Sequence, residues 1–269
     1  MYRTISHPIS IKLYNFIAIV ITLCLLGGCS KRAESHDFDS EASSTNSADA
    51  LLLAERLFSE RADVSKLRDA VNTLARARDP DKRNYELEWK FAKYSYFLGK
   101  AEQLEKDAIA AFERGKDAGR IASRVDPQKP DGHFWYGANL GELSRISPVT
   151  VGIKSVDDIH ESMDAVIAID PSYQNGSAFD ALGQLEMATR TLKNGTTAKA
   201  IEYYQKGLEL SPDNSNIRLH LAEALISAKK ETEARAQLDV LFSLKPNPEY
   251  VNEHQIAVEK GKALMARNF

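Results

Sequence analysis

Cysteine is almost absent from this chain. Its 269 residues hold two, Cys24 and Cys29, both near the N-terminus. Nothing after Cys29 can therefore form a disulfide or a cysteine-based metal site. Aromatic residues make up only 8% of a composition that is 43% hydrophobic. Such a chain can hold a substantial core, and an array of helices can share that core between neighbours rather than closing a single globule. Long apolar runs are missing too. The longest, Leu13 to Leu26, has 14 residues, short of the roughly 20 that a helix needs to span a bilayer. Positive charge is not in excess. Setting aside residues 1–28 removes Arg3 and Lys12 and no acid, leaving 33 basic residues of the original 35 against 38 acidic ones. That balance argues against non-specific nucleic-acid binding and against electrostatic docking on membranes. No HExxH, P-loop or GxSxG motif is present, so no catalytic residue, cofactor site or metal site is assigned and the chain reads as a non-enzyme.

What is present begins with an address. Met1 to Lys12 carries two bases and no acid, the apolar run follows, and Leu26-Gly27-Gly28-Cys29 comes next. The four residues resemble the bacterial lipobox, in which small side chains beside the scissile bond admit the processing enzyme. Residues 1–28 are thus expected to be a lipoprotein signal peptide and Cys29 the lipidated first residue of the mature protein. An ordinary cleaved signal with an incidental cysteine, or an uncleaved anchor, are the other readings. Ser30 stands where an inner-membrane retention Asp would be, which points to the outer membrane, facing the periplasm. Ser30 to Asp49 is polar and serine-rich. It has too little apolar surface to offset chain ordering, so residues 29–49 are expected to form a flexible tether.

From Ala50 the apolar residues recur at helical spacing. Leu51, Leu52, Ala54, Leu57 and Phe58 make one face, and Leu67, Ala70, Val71, Leu74 and Ala75 a second. The clearest signal lies in Ser177 to Pro246, which carries the tetratricopeptide pattern twice. Phe179, Leu182 and Gly183 are followed by Ala200, Tyr204 and Pro212; Leu221, Ala222 and Leu225 are followed by Ala234, Leu238 and Pro246. In the unit before them Tyr136, Gly137 and Leu140 take the same places. Terminating prolines at 80, 127, 171, 212 and 246 are spaced 47, 44, 41 and 34 residues apart, so only the last interval matches the 34-residue period. The expected fold is all-α: a tetratricopeptide-like helix-turn-helix α-solenoid over residues 50–269, with about five helix pairs and a C-terminal capping helix. Val251, Ile256, Val258 and Leu264 are available in that last helix to cover the open end of the array. Ile146 to Lys154 interrupts the third unit as a packed loop or a contact element, and Ser155-x-x-Asp158 after it has the form of a capping box.

Candidate functional residues follow from the repeat register. With Tyr136-Gly137, Leu182-Gly183 and Leu221-Ala222 as packing positions, helical spacing assigns a groove-facing set. It comprises Phe134, Ala138 and Glu142, then Asp180, Gln184 and Met187, then Asn216, Leu219 and Glu223. The rings of His133-Phe134-Trp135-Tyr136 either fill the gap between long helices or partly line the same face. His220-x-x-Glu223 and Asp157-x-x-His160 could each place two metal ligands on one helix face, but no third ligand accompanies either, so both read as solvated pairs. Asn194-Gly195-Thr196 fits a turn before the Ala200 helix.

From about Pro130 onward the chain resembles a more specific group. GHFWYGANLGEL, MDAVIAIDPSYQNGSAFDALGQLE, LSPDNSNIRLHLAEALISAKKETEARAQL and PNPEY are similar to the periplasmic lipoprotein T component associated with tripartite ATP-independent periplasmic (TRAP) transporters. Regulator-of-microtubule-dynamics proteins share the GHFWYG-type opening, although a lipobox is not expected of them. The resemblance to the T component implies a non-enzymatic helical protein that assembles into a homo-oligomeric ring and engages a solute-binding protein. It covers about half of the chain, and Ala50 to Val125 matches it only loosely. Two functions of different class are therefore expected of this sequence. One is a membrane-tethered scaffold that binds a protein partner in the periplasm; the other is a carrier of a small hydrophobic molecule in an enclosed cavity of the array.

Overall fold

Each terminating proline lies just past the end of a second helix in the computed structural model, which describes residues 47–191 and 194–269. Five helix pairs result: α1 (Ser47–Ser59) with α2 (Val64–Ala77), α3 (Tyr85–Ala101) with α4 (Glu105–Val125), α5 (Pro130–Ile146) with α6 (Ile153–Ile169), α7 (Tyr173–Ala188) with α8 (Thr197–Leu210), and α9 (Ser215–Ser227) with α10 (Glu231–Ser243). A last helix, α11 (Val251–Asn268), follows. The described residues contain no strand. Short polar residues start several of these helices by capping free backbone N–H groups. Asp63 accepts from the amide of Ser65, Asn84 from Leu87, Thr196 from Lys199, and Asn214 from Asn216 and Ile217. The expected signal peptide, Cys29 and most of the expected tether lie outside the described residues. Ser47 to Asp49, expected to end a flexible tether, are instead the first residues of α1.

The first helices of successive pairs form one layer. α1 packs on α3, α3 on α5, α5 on α7, α7 on α9 and α9 on α11, whereas the backbones of second helices from different pairs stay apart among the described residues, the rings of His160 in α6 and Tyr203 in α8 meeting at 6.5 Å. That one-sided contact pattern is the mark of a solenoid, and it leaves the first helices facing inward. Close approach between helices depends on small residues. A Cβ built on Gly119 of α4 would lie 2.5 Å from the backbone nitrogen of Tyr136 in α5. One built on Gly183 of α7 would lie 2.3 Å from the ring of Tyr204 in α8. The cap is made by Ala257 and Leu264 of α11, packed with Leu219, Leu238 and Leu241.

Four local expectations need correction. Ser155 caps nothing: it sits inside α6, its hydroxyl donating to the carbonyl of Val151, while Asp158 accepts from the Tyr136 hydroxyl at 3.2 Å. The helix starts earlier because Pro148–Gly152 forms a single π-helical turn that runs straight into it. In α1 the inward face is built on Ala50 and Ala54, which leaves Leu52 70% exposed, and in α2 Ala75 is exposed while Thr73 is buried. In α11 Ile256 is likewise 52% exposed, since its neighbour Ala257 takes the contact with the array.

Candidate functional site

The inward layer encloses a cavity of about 590 Å³. Its walls come from α3, α5, the π-helical turn and α6, α7, the start of α9 and the residues leading into α11. The floor is aromatic. Tyr96 and Phe97 of α3 lie 5.6 and 6.1 Å from the Trp135 ring, and Phe134 meets Trp135 edge-on at 4.9 Å. Ile159 and Met163 of α6 close the side. Gly141 borders the cavity, and a Cβ added there would meet nothing within 4 Å. The site is thus a hollow with a hydrophobic base and room at one helix position.

Its rim is polar and largely cross-linked. Glu142 bonds Lys100 at 2.7 Å and Arg145 at 2.9 Å. Burial would raise the Glu142 carboxyl, but these two cations outweigh it and hold it below the usual range. Asp180 accepts from Gln184 at 3.0 Å and pairs with His220 Nδ1 at 2.7 Å. On the far side α7 opens with a left-handed turn, φ being 49° at Gln174, 56° at Asn175 and 72° at Gly176. Two non-glycine residues in that conformation carry strain of order 1–3 kcal/mol each, and the surroundings hold them in place. The Asn175 carbonyl accepts from Asn214 at 2.9 Å, and Gln174 accepts from the Tyr250 hydroxyl at 3.3 Å. His254 pairs with Ser215 at 2.7 Å, which ties the entry of α11 to the rim. Deeper down, Asp131 receives the hydroxyls of Tyr85 and Tyr173, both at 2.8 Å, linking α3, α5 and α7. Burial, reinforced by the Asp131 charge, pushes both phenols upward.

Six of the nine residues expected to face the groove line this cavity: Phe134, Ala138, Glu142, Asp180, Gln184 and Asn216. Met187 and Glu223, with Gln184 again, line a smaller recess of about 300 Å³ beside Tyr204 and His220. Leu219 does neither. It is 2% exposed and packed against α10 and α11, because the added terminal helix covers the side of α9 that it occupies. The aromatic quartet divides as well. Phe134 and Trp135 reach the cavity, Tyr136 turns to Asp158, and His133 is bonded to the Pro127 carbonyl at 3.1 Å. Neither metal pair forms: His160 bonds Asp164 and His220 bonds Asp180, and no group of three potential ligands occurs among the described residues. The π-helical turn is both packed and exposed to the site, with Val151 half-buried against the core and Pro148 and Gly152 on the cavity wall. Helical spacing missed Tyr96, Phe97, Ile159, Met163, Tyr250 and Glu253. They come from the neighbouring pair, from second helix α6 and from the capping segment, whose placement depends on tertiary packing.

The family described as regulator of microtubule dynamics protein 1-3 matches residues 51–188, more than half of the chain. The chain belongs to that family. Tetratricopeptide repeats match residues 191–252. This regulator-family protein is similar in structure to TTC0263, a thermophilic TPR protein of Thermus thermophilus, at 17% identity, with 81% of this chain and 99% of that one covered and a TM-score of 0.58. It is also similar to MamA (41-end) from Desulfovibrio magneticus RS-1, at 17% identity over 73% and 95% of the two chains, with a TM-score of 0.50. These likenesses show the fold. No curated protein matches the sequence. The family match reaches back to Leu51, through the first half that the T-component resemblance left loose.

Proposed function

We propose that this protein is a non-enzymatic scaffold of the cell envelope, tethered by lipid on Cys29 and binding a protein partner in the cavity of its inward layer. The observation that carries this reading is the cavity itself, an aromatic floor ringed by polar groups that four first helices, α6 and the capping segment build together. Apolar cores with polar rims are what protein interfaces bring together. Family membership rests on residues 51–188 and leaves the lipobox reading of the leader independent, so the two stand side by side. The resemblance from Pro130 onward makes a solute-binding protein of a transporter the first partner to look for, with self-assembly of the scaffold as the accompanying arrangement. A second reading is favoured by the volume, since about 590 Å³ falls within the roughly 300–1,000 Å³ of small-molecule pockets: the same hollow would carry a small hydrophobic molecule. Affinity capture from the periplasm of its own cell, followed by mass spectrometry of both proteins and extracted lipids, tests the two. A stoichiometric protein partner supports the scaffold. A co-purifying apolar molecule with no protein partner supports the carrier.

A further inference from the structure

Three carboxylates from three helices converge on the Tyr96 side of the cavity. Glu142 of α5, Asp180 of α7 and Glu253 of α11 all line it. Their negative charges all act on the Tyr96 phenol, whose pKa is raised first by burial and then by them, against the single opposing effect of Arg145. Two of the three acids are already satisfied. Glu142 holds Lys100 and Arg145, and Asp180 holds Gln184 and His220. Glu253 is different, because its Oε2 is buried and has no hydrogen-bond partner. Leaving a buried charged oxygen without a donor costs more than leaving a neutral one, and native structures rarely tolerate it without a reason. The N-terminal dipole of α11 favours a negative charge at Glu253, which lies in the first turn, but it brings no donor to that oxygen.

The floor beside this acid suits a cation. Tyr96 and Phe97 present ring surfaces, and aromatic faces attract ammonium and guanidinium groups, more so away from water. Trp135, 3% exposed, completes that floor and sets its indole N–H against the Tyr173 hydroxyl oxygen. A ligand that suits both the acid and the rings carries a positive head on an apolar stem, which a simple apolar molecule does not. We infer that the cavity receives a lysine or arginine side chain from an extended segment of a partner protein, its charged head on Glu253 and its stem across Tyr96 and Phe97. This rests on the reading of the cavity as the partner site.

The test is calorimetric titration of the full chain in detergent with acetylated and amidated Leu-Arg-Leu, Leu-Lys-Leu, Leu-norleucine-Leu and Leu-Glu-Leu peptides, and with n-hexylammonium. The basic peptides are expected to bind about tenfold or more tighter than the norleucine peptide, as a charge-assisted hydrogen bond implies. The glutamate peptide is expected not to bind. Glu253→Gln should erase the preference for the basic peptides while leaving Tm at or above the wild-type value, because it removes an unpaired buried charge. Equal binding of the norleucine and arginine peptides would overturn the inference while leaving the cavity as a site. Binding of n-hexylammonium as tight as that of the arginine peptide would replace a protein segment with a free amine and also overturn it. No binding by any basic peptide would do the same. The cavity reading itself would fail separately, if Gly141→Trp left capture of the partner unchanged.

Discussion

Asp180 Oδ1 and His220 Nδ1 meet at 2.7 Å between α7 and α9, Asp180 lining the cavity and His220 the smaller recess. Burial alone would lower the imidazole pKa, but the charge and hydrogen bond of Asp180, helped by Glu223 and opposed by Lys260, raise it above the ordinary 6.5. The raised pKa belongs to the folded state. The pair therefore stabilises the fold fully below the unfolded-state value and loses that contribution as pH rises through the folded one. Thermal melts taken from about pH 6 upward should show wild-type Tm falling through this window and Asp180→Asn falling less. An identical slope in the variant would show that His220 does not titrate with folding.

Helix contacts make a second prediction. Leucine at Gly183 would drive into the Tyr204 ring, and leucine at Ala222, which is fully buried, would push α9 off its neighbours. Each should cost about 1–3 kcal/mol in chemical denaturation by overpacking. Lys229→Leu, on an exposed residue, should be nearly neutral. Equal losses at all three positions would contradict the repeat register.

Lys229 has a further use. Its φ of 60° is left-handed, just past the C-terminal end of α9, and the Lys230 amide bonds back to the Leu225 carbonyl at 2.9 Å. Glycine is the residue this position favours. Lys229→Gly should raise stability by about 0.5–1 kcal/mol, read as a shift in the denaturation midpoint with an unchanged slope.

The repeat architecture was legible because it is written in local terms: helical spacing of small and apolar residues, with prolines that end each pair. The cavity was legible only along single helices. Phe134, Ala138, Glu142, Asp180, Gln184 and Asn216 were reached by counting turns, and they do line it. Leu219 was lost because counting turns on α9 says nothing about which side α11 will cover. Tyr96, Met163 and Glu253 arrive from other elements, so no spacing within one repeat could place them. Burial was equally hidden. Asp180 is 8% exposed and bonded on both oxygens, so arginine there would strip His220 of its partner and test folding more than binding.

The leader carries a prediction that the fold leaves untouched. If Leu26-Gly27-Gly28-Cys29 is a lipobox, Cys29→Ala should remain an unprocessed precursor and take up no labelled palmitate. Labelling equal to that of the wild type would remove the lipid anchor from the account.

The account's central claim is that the cavity is where the partner binds. Gly141 gives the cleanest access to it, because an added side chain there points into open space at the cavity wall and replaces a residue that weakens helices by about 1 kcal/mol. Quantitative affinity capture by wild type and Gly141→Trp, paired with thermal melts of both, measures the claim directly. The expected result is loss of the captured partner with Tm unchanged or slightly raised. Full capture by a stably folded Gly141→Trp protein would contradict it.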